Sequence, residues 1–485
     1  MRRSFTGFGL KGTGASGNSM SDAPETLEAA TQTETAPGQV YAVTPDFVRA
    51  VVQGLQDGDA ALGRELILPL HAADMADLIG FVPGDLRQQL LDLVSSDLLP
   101  DVLSELDESV RDEVLELFKP GDLAAAVTEL DTDDAVYVIE DLDEQQRAEV
   151  LRAVPAEERA ALLEGLSYGE DSAGRLMQRN LIAVPAYWTV GQTIDYMRET
   201  DELPDTFHQI FVVDPAHHSI GAVDLDRLLR TERPVKIVDV MDPDLRRVPV
   251  DMDQEQVGYL FQQYGLVSVA VVDSEGRLVG VIMVDDVVEV IHEEVEEDTL
   301  RLAGAHGDDL NATVIGTART RFSWLLINLG TAALASLVIA AFGASIEKLV
   351  ALAVLMPIVA SMGGNAATQT ITVAVRAIAT RELTAANSLR IVWKEVLVGG
   401  VNGVLFALLT GAAGGLLFQD LGLGLVLGAA MIINMVLAGL SGIVVPLGLE
   451  RRGIDPAVAS TVFVTTITDV FGFFSFLGLG AWFLL

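Results

Sequence analysis

The spacing of apolar residues changes character twice along this 485-residue chain. Between 45 and 168, apolar positions recur at helical spacing in short runs. Ala73-Asp74-Met75-Ala76-Asp77-Leu78-Ile79, Leu98-Leu99-Pro100-Asp101-Val102-Leu103 and Asp122-Leu123-Ala124-Ala125-Ala126-Val127 are similar phrases, and Gln146-Arg147-Ala148-Glu149-Val150-Leu151 continues the series. A repeat of about 24 residues predicts a small helical superhelix in which each unit buries its apolar face on the next. From about residue 172 the pattern becomes strand-like. Val267–Val272 is a β-rich run, Asp273-Ser274-Glu275-Gly276 a turn and Leu278–Val284 a second strand. Asp285-Asp286 is then expected to cap a helix through Val287–Ile291. Gln209–Asp214, a turn, Ile220–Val223 and a helix opened by Asp224 form a weaker copy. Two such units in tandem suit a regulatory module better than a catalytic one.

The last third is different again. Apolar stretches at 322–343, 349–375, 396–418, 422–448 and 457–485 are each long enough to cross about 30 Å of hydrocarbon. Arg319 and Arg321 precede the first. Arg376, Arg381, Arg390 and Lys394 separate the second from the third, and Arg451 and Arg452 the fourth from the fifth. The other two connections carry only Lys348, with Glu347, and Asp420. The positive-inside rule therefore puts the N-terminal body in the cytosol and the C-terminus outside.

Charge follows the same division. The chain carries a formal net charge of −38, yet residues 320–485 hold 8 Lys/Arg against 7 Asp/Glu, leaving 23 basic and 62 acidic residues in 1–319. Such a body repels nucleic acid and anionic lipid and attracts divalent cations. With no cysteine, disulfides and thiolate metal sites are excluded. Met1-Arg2-Arg3 is not followed by an apolar run, so no secretory leader is expected. The Gly/Ser/Thr/Glu-rich residues 1–44 are expected to be a disordered tail.

Two features of the apolar third carry chemistry. Asp469 sits inside the last stretch, where a charge costs at least about 2.5 kcal/mol unless it is partnered or faces water. No basic residue lies at comparable depth, which favours a cation pathway over a helix-cap or interhelical hydrogen-bond role. The second stretch contains Pro357-Ile358-Val359-Ala360-Ser361-Met362-Gly363-Gly364-Asn365-Ala366-Ala367-Thr368-Gln369-Thr370. Asn365 and Gln369 share a helical face, and a polar, breakable stretch at membrane depth is tolerated where it lines a cavity or meets protein. Small-residue helix packing explains those residues equally well.

The paired units resemble tandem CBS domains, with Gly280-Val281-Ile282-Met283-Val284-Asp285-Asp286-Val287 as the ending. Helical superhelix, CBS pair and five spans together resemble the MgtE magnesium channels over about 45–485, most specifically at Pro357–Gln369 and at Thr468-Asp469-Val470. The resemblance implies a multidomain fold. Its parts are an all-α superhelical N-terminal domain (45–168), an α+β tandem CBS pair (172–292), a connecting plug helix (293–318) and a five-span α-helical membrane domain (319–485). It also implies a homodimer in membrane lipid whose pore is lined by the second and fifth spans. Asp469 would be the pore metal ligand, with Gly363, Gly364, Asn365, Gln369 and Thr465 lining the path. Asp253, Glu255, Asp286, Glu289, Glu294, Glu297, Asp298 and Asp455 look like sensor acids that bind cytosolic Mg²⁺ and close the pore. Mg²⁺ would thus be both cargo and regulator, and the CBS pair a place for ATP. Ala367, Thr368, Gly265 and Thr461 depart from residues that some members carry, which bears on pore geometry and sensor affinity.

Other readings stay open on sequence grounds. The pore segments contain no His or Cys, so oxygen ligands favour Mg²⁺, Ca²⁺ or Mn²⁺, with Co²⁺ or Ni²⁺ transport as rivals. Asp469 also suits a proton- or Na⁺-coupled transporter, and a membrane-anchored nucleotide sensor is a third class. No P-loop, nucleophile elbow or HExxH motif supports an enzyme.

Overall fold

The computed structural model describes residues 43–200, 203, 204, 206–305, 314–384 and 386–485. All but the last two residues of the expected tail, and 306–313 of the expected plug segment, lie outside the described residues. The chain divides into two compact units. One holds the described residues up to Leu130 together with Tyr137–Pro155, the other Asp131–Val136 and Ala156–Leu485.

The first unit is built from short helices: α1 (Pro45–Gln56), α2 (Ala60–Ile67), α3 (Ala72–Phe81), α4 (Gly84–Leu91), α5 (Leu99–Ser104), α6 (Glu108–Leu115), α7 (Pro120–Glu129), the end of α8 (Thr132–Glu140) and α9 (Glu144–Ala153). Val51, Leu78, Ile79, Leu90, Val102, Leu103 and Val114 fill its core. A recurring arginine closes the corners. Arg87 donates to the carbonyls of Ile79 (3.2 Å) and Val82 (3.3 Å), Arg111 to Leu106 (3.2 Å) and Arg147 to Leu142 (3.1 Å). Each satisfies carbonyls left over where the preceding helix ends, five residues upstream in all three cases. Arg111 is fully buried, 2.5 Å from Asp141 and stacked 3.7 Å from the Tyr137 ring centroid.

In the second unit, α10 (Ala156–Gly165) leads into two matching three-stranded sheets. Strands β1 (Ala183–Pro185), β2 (Gln209–Val213) and β3 (Ser219–Asp224) pair parallel then antiparallel. So do β4 (Arg247–Pro249), β5 (Ser268–Val272) and β6 (Leu278–Met283). The copies correspond in detail: Ala183 pairs Phe211 as Arg247 pairs Ala270, and the register slips at Val212/Val213 and again at Val271/Val272. Helices α11 (Val190–Glu199), α12 (Leu225–Leu229), α13 (Ile237–Val240) and α14 (Gln254–Tyr264) cover the sheets. Gly265 ends α14 with φ +61°, a left-handed cap that favours glycine.

Helix α15 (Val284–Ala303) runs for 20 residues, so the expected boundary at 292/293 falls inside one unbroken helix. Asp285 and Asp286 lie in its first turn rather than at the cap. Met283 holds the cap position and its N–H donates to Asp286 Oδ2 at 3.3 Å.

Among the described residues, five helices are long and apolar enough to cross a membrane: α16 (Val314–Ala341), α18 (Ala351–Ala379), α19 (Ser388–Phe418), α20 (Leu421–Glu450) and α21 (Ser460–Phe483), with a short α17 (Gly343–Lys348) between the first two. Several extend past the apolar runs. Arg319, Arg321, Arg390 and Lys394 are thus on helices whose ends outrun the hydrocarbon, where such side chains reach the interface. Pro357 does not break α18, which is continuous through it. Helix α20 is the core of the bundle: Leu423, Leu427, Ala430, Met431 and Asn434 are wholly buried, alongside Leu352 and Val359 of α18 and Phe476 and Leu477 of α21. Helices α19 and α20 meet backbone to backbone. A methyl at Gly399 would lie 2.5 Å from the Met435 carbonyl oxygen.

Candidate ion pathway and acidic sensor

Helices α18 and α21 each turn one polar strip toward a shared open groove of about 560 Å³. Pro357, Ser361, Gly364, Asn365 and Thr368 come from α18, and Thr465 and Asp469 from α21; Ile339, Met356, Ala360 and Phe473 complete the lining. The strip follows from i, i+3, i+4 spacing on both helices. Thr368 Oγ1 donates to the Gly364 carbonyl (3.0 Å) and Thr465 Oγ1 to the Thr461 carbonyl (2.7 Å). Their hydrogens spent on backbone, these hydroxyls keep lone pairs for an incoming donor. With the Asn365 amide and the Asp469 carboxylate, the groove offers oxygen acceptors, and among the described residues no Lys or Arg lines it.

Of the residues expected to line a path, Gly364, Asn365 and Thr465 meet Asp469 in this groove. Gly363 does not: it is buried on the other face of α18, against the Asn434 side chain. Gln369 is exposed one turn beyond Asn365, outside the lining.

The expected sensor acids fall into two groups in the second unit. Asp253 caps α14, accepting from the Glu255 N–H at 3.0 Å. Burial, then the neighbouring charges of Glu294, Asp253, Asp298 and Asp455, push Glu255 up to about 7. Burial and Asp455 raise Asp298 to about 6, against the pull of Arg301. Glu294 is also raised by burial, although its carboxylate accepts from Gln254 Nε2 at 2.8 Å. Arg301 pairs with both Glu297 and Asp455, tying α15 to the loop before α21. Beside it, Leu302 packs on a cluster with Ala367, Ile371 and Val464, and the Thr461 hydroxyl reaches the Leu302 carbonyl at 3.4 Å. The end of α15 thus sits against α18 and α21.

The second group surrounds Asp286, raised to about 7 by burial and then by Asp285, Asp134 and Glu289. Asp133 is raised well above the usual carboxylate range by burial and by Asp286, Asp134 and Asp131. Asp131, Asp133, Asp134 and Asp285 carried no sequence signal beyond a helix start. Among the described residues, no three Asp, Glu or His side chains are placed to hold a metal ion directly.

Between the CBS sheets, a crevice of about 10 Å³ is lined by Asn180, Phe207, Gln209 and Ser268 among others. In this form it has room for roughly one water and not for an adenine ring.

A helical membrane bundle with an oxygen-lined groove, a pair of CBS-like sheets and an acidic helical domain form the architecture of a class of divalent cation transporters. The chain matches the MgtE family of divalent cation transporters over 356–479, the MgtE intracellular N domain over 70–171 and the CBS domain over 173–233 and 237–293. It is 31% identical over 445 residues to the magnesium transporter MgtE of Thermus thermophilus (88% of this chain, 96% of that protein). To the magnesium transporter MgtE of Bacillus subtilis it is 26% identical over 447 residues (90% and 98%). A crystal structure of the cytosolic domain of the Mg²⁺ channel MgtE in complex with ATP is similar over 50% of this chain and 99% of that one, at 29% identity and a TM-score of 0.47. The chain belongs to the MgtE family of magnesium transporters.

Proposed function

We propose that this protein is a magnesium-selective channel that imports Mg²⁺ down its electrochemical gradient and is closed by cytosolic Mg²⁺. The observation that carries the reading is the groove in which Asn365, Thr465 and Asp469 face one another without a basic partner. Mg²⁺ dehydrates reluctantly and is held through its own waters by one or two carboxylates, which suits a single carboxylate among neutral acceptors. The groove is open on one side. A second copy facing it would enclose the path and bring two Asp469 carboxylates to one ion, so the homodimer belongs to the proposal. The proposal also puts the acidic body in the cytosol and the C-terminus outside, which the loop arginines support through the positive-inside rule.

Closure is assigned to Asp253, Glu255, Glu294, Glu297, Asp298 and Asp455 near the end of α15, and to Asp286 and Glu289 at its start. Burial and mutual repulsion hold the carboxyls of Glu255, Asp286, Glu294 and Asp298 above their ordinary range. A cation relieves that repulsion as a proton does. With no direct three-carboxylate site among the described residues, hydrated Mg²⁺ bridging pairs of acids is the form of binding that fits. Mg²⁺ would then hold the Arg301–Leu302 end of α15 against α18 and α21. ATP is a further ligand proposed for the CBS pair; the crevice would have to widen to admit it.

The test is Mg²⁺ uptake into proteoliposomes under an imposed potential, with Mg²⁺ varied on the body-facing side. Uptake should be abolished by Asp469→Ala and, in wild type, shut off by body-side Mg²⁺. Full uptake by Asp469→Ala would make that carboxylate structural and end the pore reading. A requirement for a pH or Na⁺ gradient would replace the channel with a coupled transporter.

A further inference from the structure

Asn434 of α20 is a buried polar side chain in the bundle core to which ion passage and closure assign no task. It is fully buried, and its Nδ2 donates to the Val359 carbonyl of α18 at 2.8 Å while Oδ1 has no partner among the described residues. The orientation is fixed, because a flipped amide would set Oδ1 against the Val359 carbonyl. Two glycines clasp the side chain from different helices. A methyl at Gly363 of α18 would lie 2.7 Å from Asn434 Cγ, and one at Gly472 of α21 would lie 2.8 Å from Nδ2. Gly363 precedes groove-lining Gly364 and Asn365 by one and two positions, and Gly472 follows Asp469 by three. An unpaired acceptor in an apolar core is costly, and a leucine would fill the same space without that cost. A polar wedge is therefore retained where the backs of the two groove helices meet.

Resting on the pore reading, we infer that Asn434 is a positioning residue for ion passage. Its amide, gripping α18 at Val359 and seated between Gly363 and Gly472, sets the rotation and spacing of the helices that carry Asn365 and Asp469. The orphan Oδ1 follows from this: the amide is placed for the backbone of α18, and both neighbouring glycines present surface without donors.

The test uses the full chain, which has no cysteine of its own. A methyl at Gly364 would lie 3.5 Å from Thr465 Cγ2, which puts the two Cβ positions roughly 4–5 Å apart, at the upper end of the separations that a disulfide bridges. Gly364→Cys with Thr465→Cys therefore reports helix placement through its rate of oxidative cross-linking, read by loss of free thiol within the monomer band. Adding Asn434→Ala should slow cross-linking at least about fivefold, the factor associated with one buried hydrogen bond. An unchanged or faster rate overturns the inference. In cysteine-free protein, Asn434→Ala should raise the Mg²⁺ concentration for half-maximal uptake by a similar factor. Gly363→Ala should depress uptake, and Gly363→Ala with Asn434→Ala should recover part of it. An unshifted half-maximal concentration, or a double variant no better than Gly363→Ala, also overturns it. Asn434→Ser serves if the alanine variant is not monodisperse in detergent. Asp469→Ala is assayed alongside: retained flux there sinks the pore reading, while the cross-linking rate still decides whether Asn434 places the helices.

Discussion

Protons and Mg²⁺ should compete to hold the cytosolic acids together, and the competition has a computable sign and size. Glu255 is pushed up to about 7 from its ordinary 4.5 because the packed arrangement partly desolvates it and surrounds it with Glu294, Asp253, Asp298 and Asp455. A carboxyl raised in the folded state binds its proton more tightly there than in the unfolded chain. Its stabilisation is complete below the unfolded value and is lost as pH rises through about 7. Taken at face value, the gap is worth roughly 3 kcal/mol. Glu255 is solvent-exposed on α14, and screening reduces this to about 1 kcal/mol. Asp298, raised to about 6, shifts in the same direction.

About two-fifths of that gap is lost between pH 6 and pH 8, so in metal-free buffer the segment around Glu255 should open about twofold more readily at about pH 8 than at about pH 6, if cleavage follows the open population. Limited proteolysis of the full chain in detergent, normalised to an unfolded substrate at each pH, reads this directly. Millimolar Mg²⁺ should suppress cleavage at the higher pH and add little at the lower, where protons already neutralise the site. Glu255→Gln should flatten most of the pH dependence. Equal cleavage at both pH values without metal, or equal Mg²⁺ protection at both, would refute the reasoning.

Two further outcomes test the packing of the short-helix unit and of the membrane bundle, each by itself. Arg111→Met leaves Asp141, with a side chain only 13% exposed, without its buried partner; thermal unfolding should show a loss of about 3–5 kcal/mol, and adding Asp141→Leu should return most of it. Gly399→Val places a branched side chain where the Met435 carbonyl already stands; the membrane bundle should lose about 1–3 kcal/mol, seen as earlier aggregation on heating in detergent, whereas Val at Gly330, which faces open space, should be nearly neutral.

What the sequence discloses and what it hides divides along the range of the forces involved. Periodicity and turn chemistry are local, so the hairpin of each sheet, its turn and five spanning helices are legible in the order of the amino acids alone, whereas the short parallel strands β1 and β4 carry too few residues for an alternation to show. The face a glycine presents is not local. Gly363 and Gly364 are adjacent and chemically identical, yet a step of about 100° around the helix sends one toward Asn434 and the other into the groove. Pro357 is misleading for a related reason: neighbouring helices sustain α18 through the lost hydrogen bond, as they do for prolines in spanning helices generally.

The acids show the same limit in electrostatic form. Thr132-Asp133-Asp134 reads as an ordinary acidic helix start, which the macrodipole favours, and only tertiary structure brings Asp286 near enough to raise Asp133. A carboxylate becomes a sensor through its neighbours, and those neighbours come from α8, α14, α15 and the loop before α21. The number of acids in α15 therefore says little about regulation. What matters is that Glu255 and Asp298, on different helices, feel the same Asp455 beside Arg301. Asp455 pairs with Arg301, the residue before Leu302, which packs on the cluster with Ala367 and Val464 of α18 and α21. On the proposed function, neutralising Asp455 and pressing α15 onto the groove helices would be coupled events, and closure by the transported ion would consist of that coupling.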